Sequence, residues 1–174
     1  MLQVRPHKSS DIPLRVKWLN NPQVSQYIGD CSGEKTTLAK ERKWFEAYKK
    51  NSQKKFFTFC VDDEPIGFMG LSNIQKMNRN AELFIAIGED AYRGKGYGKQ
   101  ALIWLLDYAF CTLKLHKVNL GVVDANKRAI CLYKFLGFVE EGRMREEIFI
   151  NKRWHDLFSM AIFQKNWKPP YVPF

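Results

Sequence analysis

The sequence predicts an α/β fold: a mixed central sheet flanked by helices. Three observations carry it. An apolar run, Leu83-Phe84-Ile85-Ala86-Ile87, leads through Arg93-Gly94-Lys95-Gly96-Tyr97-Gly98 straight into a helix. A strand feeding a glycine-rich turn that opens a helix is how proteins hold a phosphate, because glycine lets backbone N–H groups approach and the helix N-terminus adds unpaired donors. Behind the turn, Leu102, Leu105, Leu106, Ala109, Phe110 and Leu113 recur at i, i+3, i+4, i+7, i+8 and i+11, one apolar helical stripe. Upstream, two β-rich runs flank Asp62-Asp63 and predict a hairpin.

The elements follow in order. Leu2–Pro6 is a first strand, and Asp11–Leu19 a short helix stopped by Asn20-Asn21-Pro22. Gly29–Gly33 is loop, after which Thr36 or Thr37 caps a helix to about Lys50. Lys55–Val61 and Pro65–Ile74 are the hairpin strands, and Ala81–Ile87 is the strand before the glycine turn. His116–Val123 is a strand with Val118, Leu120 and Val122 on one face. Asn126 caps a helix ending at Gly137, a glycine placed to leave the helix in the left-handed region. Phe138–Ile150 and Trp154–Phe163 are the last strands, turning at Asn151-Lys152. The order is β-α-α-β-β-β-α-β-α-β-β. Residues 1–167 are expected to form a single domain, followed by a proline-rich tail over 168–174.

Three phosphate-binding loops compete for the glycine signature. The nucleotide P-loop, G-x-x-x-x-G-K-[ST], counted back from Gly98-Lys99, finds Arg93 where its first glycine belongs and Gln100 after the lysine. The dinucleotide pattern G-x-G-x-x-G, started at Gly94, finds Lys99 in place of its last glycine. What remains is R-x-x-G-x-G, the spacing that cradles the pyrophosphate of coenzyme A. The alternative at this point is a glycine-rich turn without a ligand.

Some thirty residues on, Asn126–Phe138 reads N-x-x-A-x-x-L-Y-x-x-x-G-F. Together with the loop, this segment resembles the GCN5-related N-acetyltransferase (GNAT) superfamily, most nearly its branch of bacterial spermidine and ribosomal-protein N-terminal acetyltransferases. The resemblance runs from about Ala81 to Trp167 and weakens toward the N-terminus, where Trp18-Leu19-Asn20-Asn21-Pro22 still fits. Between Ile87 and Tyr92 the loop is one residue longer than in the polyamine enzymes. The resemblance implies a mostly antiparallel sheet and direct transfer of an acetyl group from acetyl-coenzyme A to a primary amine.

It also implies site residues. Tyr133 corresponds to the tyrosine that lies by the coenzyme A sulfur as general acid; a core tyrosine in the stripe Ile130, Tyr133, Leu136 is the other reading. Glu82 is the best general-base candidate, just before a strand expected to be buried on both faces, where a carboxylate gains proton affinity and can accept a proton through water. Its alternatives are holding a cationic substrate, or an exposed strand-end charge. Arg93, Gly94, Lys95, Gly96, Gly98 and Lys99 are expected to hold the cofactor's phosphates, the backbone at Ile85 and Ile87 its pantetheine arm and acetyl carbonyl. Asn126 is expected to contact the same arm besides capping its helix, while His116 and His155 read as structural or surface histidines.

Composition narrows the rest. No apolar run approaches the ~20 residues that span a bilayer, and no charged-then-apolar leader opens the chain, so a cytoplasmic protein without a membrane segment is expected. Cys31, Cys60, Cys111 and Cys131 are scattered without metal-ligand spacing, which predicts buried free thiols, no disulfide and no metal. The net charge of +10 invites polyanions, yet the basic residues are spread along the chain with no RNA-binding fingerprint, so nucleic acid is not the expected partner. A homodimer or larger homo-oligomer is. The resemblance puts a polyamine first as acceptor, with a protein N-terminus or an amino sugar or aminoglycoside as the alternatives. Glu34, Glu41, Glu46 and Glu82 offer one acidic pocket for a polycation, and Glu140, Glu141, Glu146 and Glu147 a second acidic patch.

Overall fold

Each strand of the sheet can be traced to its sequence pattern, and the seven form one continuous layer in a computed structural model that describes residues 1–28 and 34–170. They are β1 (Leu2–Pro6), β2 (Lys55–Val61), β3 (Glu64–Gln75), β4 (Asn80–Ile87), β5 (Lys117–Val123), β6 (Val139–Ile150) and β7 (Arg153–Phe163). Their spatial order is β1-β2-β3-β4-β5-β7-β6. All neighbours run antiparallel except β4 and β5, which are parallel. The hairpin turns carry the backbone they need: Asp62 and Asp63, then Asn151 and Lys152, all have positive φ, the primed turn whose twist matches the flanking strands.

The helices are α1 (Ile12–Leu19), α2 (Pro22–Ser25), α3 (Leu38–Lys49), α4 (Tyr97–Asp107) and α5 (Lys127–Phe135). The short α2 departs from expectation. Asn20-Asn21-Pro22 stops α1, but the Asn21 side chain then accepts from the Gln23 N–H and Pro22 takes the first helical position, where its missing N–H is harmless. A second departure follows α4, where Tyr108–Thr112 winds as a π-helix that carries Ala109 and Phe110 into the core. The expected loop Gly29–Gly33 and Cys31 lie outside the described residues, as do residues 171–174 of the tail; Lys168, Pro169 and Pro170 form no regular structure.

The main core lies between the sheet and α4, with Met69, Leu71, Leu102, Leu105, Leu106 and Val118 fully buried. On the opposite face α1 buries Trp18 against Phe68, with the rings stacked at 6.1 Å. Gly88 is glycine because this indole lies where its Cβ would be. Cys60 is buried as expected, but Cys111 and Cys131 are exposed, since each lies off the apolar stripe of its helix.

Candidate active site

The parallel pair is brief, and that brevity makes the site. β4 and β5 are in register only at Asn80, Ala81 and Glu82, opposite Lys117, Val118 and Asn119. Beyond Glu82, β4 stays paired with β3 and β5 with β7, so the two strands part. The Gly88 N–H donates to the Ile66 carbonyl at 2.8 Å. Antiparallel alternation therefore gives the peptide groups of Glu82, Phe84 and Ala86 to β3 and turns those of Leu83, Ile85 and Ile87 toward the gap. A cleft of about 910 Å³ opens there.

The glycine turn closes one end of this cleft. Gly94 and Gly96 both have positive φ, +82° and +86°, conformations that an L side chain strains to adopt. From Gly94 to Lys99, six successive N–H groups find no acceptor among the described residues; the first bond of α4 is that of the Gln100 N–H to the Gly96 carbonyl. Unpaired amides at a helix N-terminus are an anion site. A Cβ at Gly96 would meet nothing within 4 Å, so its missing side chain leaves open space on the ligand side. Lys99 lines the cleft with its ammonium 4.1 Å from the Phe135 ring, and Arg128 reaches over from α5 to lie against Gly94, whereas the Lys95 ammonium lies 5.6 Å from the Tyr92 ring and Lys95 is not part of the lining. Arg128 and Lys127 line the cleft and were not expected from the sequence, where they read as part of a dispersed basic surface.

Arg93 also lines the cleft, but its side chain is spent within the loop. Nε and Nη2 donate to the Ile87 carbonyl at 3.2 and 3.0 Å, and Nη2 pairs with Asp90 at 3.0 Å. Asp90 in turn accepts from Asn21 at 3.1 Å. Its neighbour Glu89 accepts from the Trp18 indole at 2.7 Å and, through both carboxylate oxygens, from the Lys17 ammonium at 2.7 and 2.8 Å, and the Lys17 bond holds its carboxyl below the usual range. The loop after β4 is thus pinned to α1 and α2.

Tyr133 lies on α5 with its ring against Phe138 and only 8% exposed, yet it lines the cleft. Burial pushes its hydroxyl up to about 12, and that hydroxyl has no hydrogen-bond partner among the described residues. Asn126 caps α5, its Oδ1 accepting from the Ala129 N–H at 3.2 Å, and it borders the cleft as well.

Glu82 corrects an expectation. It lines the cleft but is exposed, because it stands where β4 and β5 begin to part, and its Oε2 accepts from Asn73 at 3.0 Å. The first acidic pocket does not assemble either: Glu41 is buried against Arg15 at 2.6 Å, Glu34 pairs with Lys40 at 3.2 Å and Glu46 with Lys49 at 2.8 Å. In the second patch Glu141 pairs with Lys117 at 2.6 Å. Among the described residues Glu82 is the one carboxylate lining the cleft. The cleft is also lined by Gln23, Gln26 and Tyr27, in and just after α2, and by Ile148 and Leu157 of the last hairpin. His155 bonds Asp124 at 2.8 Å and His116 packs edge-on to Phe163; neither lines the cleft.

No group of acidic, histidine or cysteine side chains among the described residues is arranged to hold a metal, and no helix among them is long and apolar enough to cross a membrane. Residues 1–139 match the family described as acetyltransferase (GNAT) domain. A spermidine N(1)-acetyltransferase of Vibrio cholerae serotype O1 is 38% identical over 117 residues, 67% of each chain. The crystal structure of spermidine N-acetyltransferase from Vibrio cholerae in complex with CoA and spermine superposes with a TM-score of 0.88 at 29% identity, covering 95% of this chain and 96% of that one. A dodecameric structure of spermidine N-acetyltransferase from the same organism superposes with a TM-score of 0.83 at 30% identity, covering 94% of each. A parted strand pair, an amide-lined loop and this kinship agree: the chain belongs to the GNAT family and is an acetyl-coenzyme A-dependent N-acetyltransferase.

Proposed function

We propose that the protein acetylates a primary amine of a polyamine by direct attack in a ternary complex. The observation that carries this reading is the parting of β4 from β5 above six unpaired amides, with the Tyr133 hydroxyl and the Glu82 carboxylate bordering the same cleft. The cofactor's pyrophosphate sits on the N–H groups of Gly94–Lys99, flanked by Lys99 and Arg128. The pantetheine arm extends the sheet in the gap, bonding the free peptide groups of Ile85 and Ile87. Their N–H groups are also the donors available to an oxyanion as the amine attacks the thioester.

Tyr133 donates to the departing sulfur. Its proton affinity, raised by burial, keeps the hydroxyl protonated at any working pH, so a donor is always present. Glu82 serves the acceptor end. An amine is mostly protonated at neutral pH and must lose a proton before it attacks; Glu82 takes it through water, or holds a distal ammonium of the same substrate. Exposure favours the second part of that role more than the sequence alone did. Asn126 fixes the start of α5 and thereby Tyr133.

A polyamine fits the kinship with spermidine acetyltransferases and Glu82, the one carboxylate lining the cleft among the described residues, whose charge no cation among them matches. A protein N-terminus is the second reading, favoured by one observation: Glu34, Glu41 and Glu46 are each matched to a cation, which leaves little negative charge to attract a polycation. We propose further that residues 1–167 act as one domain, in the cytoplasm, in a homo-oligomer, without nucleic acid. A thiol-release assay with acetyl-coenzyme A and a panel of spermidine, N-terminal peptides and amino sugars tests the acceptor. Preference for spermidine is expected; turnover of peptides alone would select the second reading.

A further inference from the structure

We propose that Arg93 is a positioning residue that holds the end of the free β4 edge, rather than a ligand of the cofactor's phosphates. The inference rests on the reading that the pantetheine arm lies along this edge.

Ile87 is the last residue of β4, and its carbonyl points into the gap, where no strand answers it. An unanswered carbonyl there is an acceptor without a donor, set beside the route of an anionic cofactor. The Arg93 fork supplies two donors at 3.2 and 3.0 Å. The same peptide unit is held from the other side, since the Gly88 N–H donates to Ile66 at 2.8 Å. The Ile87–Gly88 peptide is therefore fixed from both sides, and with it the last free N–H of the edge, that of Ile87.

The charge of Arg93 is matched as well. Asp90 pairs with Nη2, and the Arg93 N–H closes the turn on the Asp90 carbonyl at 3.1 Å. Asp90 is itself anchored by Asn21 of the α1–α2 turn. A guanidinium so placed has little net attraction left for phosphate, though Nη1 has no partner among the described residues. The cations better placed for phosphate are Lys99 and Arg128, which line the cleft and have no paired carboxylate among the described residues.

Two variants and two acetyl donors separate the roles. Arg93→Gln removes fork and charge; Arg93→Lys keeps the charge and loses the fork, and serves if the first variant does not fold. Calorimetry reads coenzyme A affinity against salt, independently of which amine is the acceptor. Turnover is then compared for acetyl-coenzyme A and for acetyl-pantetheine, which carries no phosphate. Melting curves confirm that assays run on folded protein. A residue that holds the edge makes both variants fall by about 10- to 100-fold in kcat/KM, with either donor, since misplacing a binding edge is felt at the reacting atoms. The salt dependence of affinity stays that of the wild type. The proposal is overturned if Arg93→Lys is near native while Arg93→Gln binds coenzyme A weakly with a flattened salt dependence, or if the variants use acetyl-pantetheine as well as the wild type does. Failure of the wild type to acetylate any amine would instead strike the proposed function and leave the affinity test of Arg93 intact.

Discussion

Glu82 accepts a hydrogen bond from Asn73 at 3.0 Å, at the point where β4 leaves β5. Asn73 reaches it because β3 bulges there: Ser72 opposes Glu82 and Gln75 opposes Asn80, which leaves Asn73 and Ile74 facing Ala81 alone, with Asn73 at φ 51°. A neutral amide orients the carboxylate without cancelling its charge. Glu82→Gln keeps the size and the bond to Asn73 but can neither take a proton nor balance an ammonium. If Glu82 is the base, turnover falls with little change in acceptor KM, and the acidic limb of the pH–rate profile moves or disappears. If it holds a distal ammonium, KM rises while turnover at saturation stays near native. A variant that is native in both parameters would make Glu82 a bystander.

Tyr133→Phe keeps the ring packed against Phe138 and deletes one proton donor. Coenzyme A affinity should hold while turnover falls by about 100-fold or more, the range for a lost general acid. Because burial pushes the hydroxyl up to about 12, its ionisation should not produce a basic limb below that pH. Near-native turnover in the variant would assign Tyr133 to the core alone.

Stability should depend on pH through His7. Its side chain is 1% exposed, with Nδ1 bonded to Thr58 at 2.8 Å, and burial pushes the ring down to about 4 despite the nearby Asp11; Arg15 and Arg5 push the same way as burial. A group that binds its proton more weakly when folded leaves the unfolded chain with more protons, so stability rises with pH between about 4 and 6.5. Across that window the contribution is about 3 kcal/mol at 1.36 kcal/mol per unit. Denaturant titrations of the wild type and His7→Gln at pH 4.5, 5.5 and 6.5 check it. The wild type should lose stability toward low pH more steeply than the variant; parallel curves would contradict the account.

How far the site could be read from the sequence depended on whether local signals decide it. The glycine turn was legible because positive φ at Gly94 and Gly96 and the start of α4 are fixed by the residues themselves. So were the Asn126 cap, the turn at Gly137 and both two-residue hairpins. The exposure of Glu82 was not legible, since an apolar run after it looks the same whether the neighbouring strand continues or parts. The role of Arg93 was hidden for a similar reason: the motif places an arginine before the glycines, while the carbonyl it meets belongs to the end of β4. The pairing of Glu41 is invisible in the sequence because its partner, Arg15, lies on another helix. The π-helix after α4 left no trace in periodicity, because the apolar stripe runs through it.

The proposed function stands or falls on whether the amides of Gly94–Lys99 bind the pyrophosphate of coenzyme A. The most direct measurement is calorimetric titration of coenzyme A into Gly96→Asp, with Gly96→Ala as the control. Both variants carry the backbone strain of φ +86°, and neither Cβ meets anything within 4 Å, so both should fold. Only the aspartate sets a negative charge against the phosphates, where like charges cost several kcal/mol and each 1.4 kcal/mol is tenfold in affinity. Gly96→Asp should bind coenzyme A at least about 100-fold more weakly than Gly96→Ala. Equal affinity in two folded variants would contradict it.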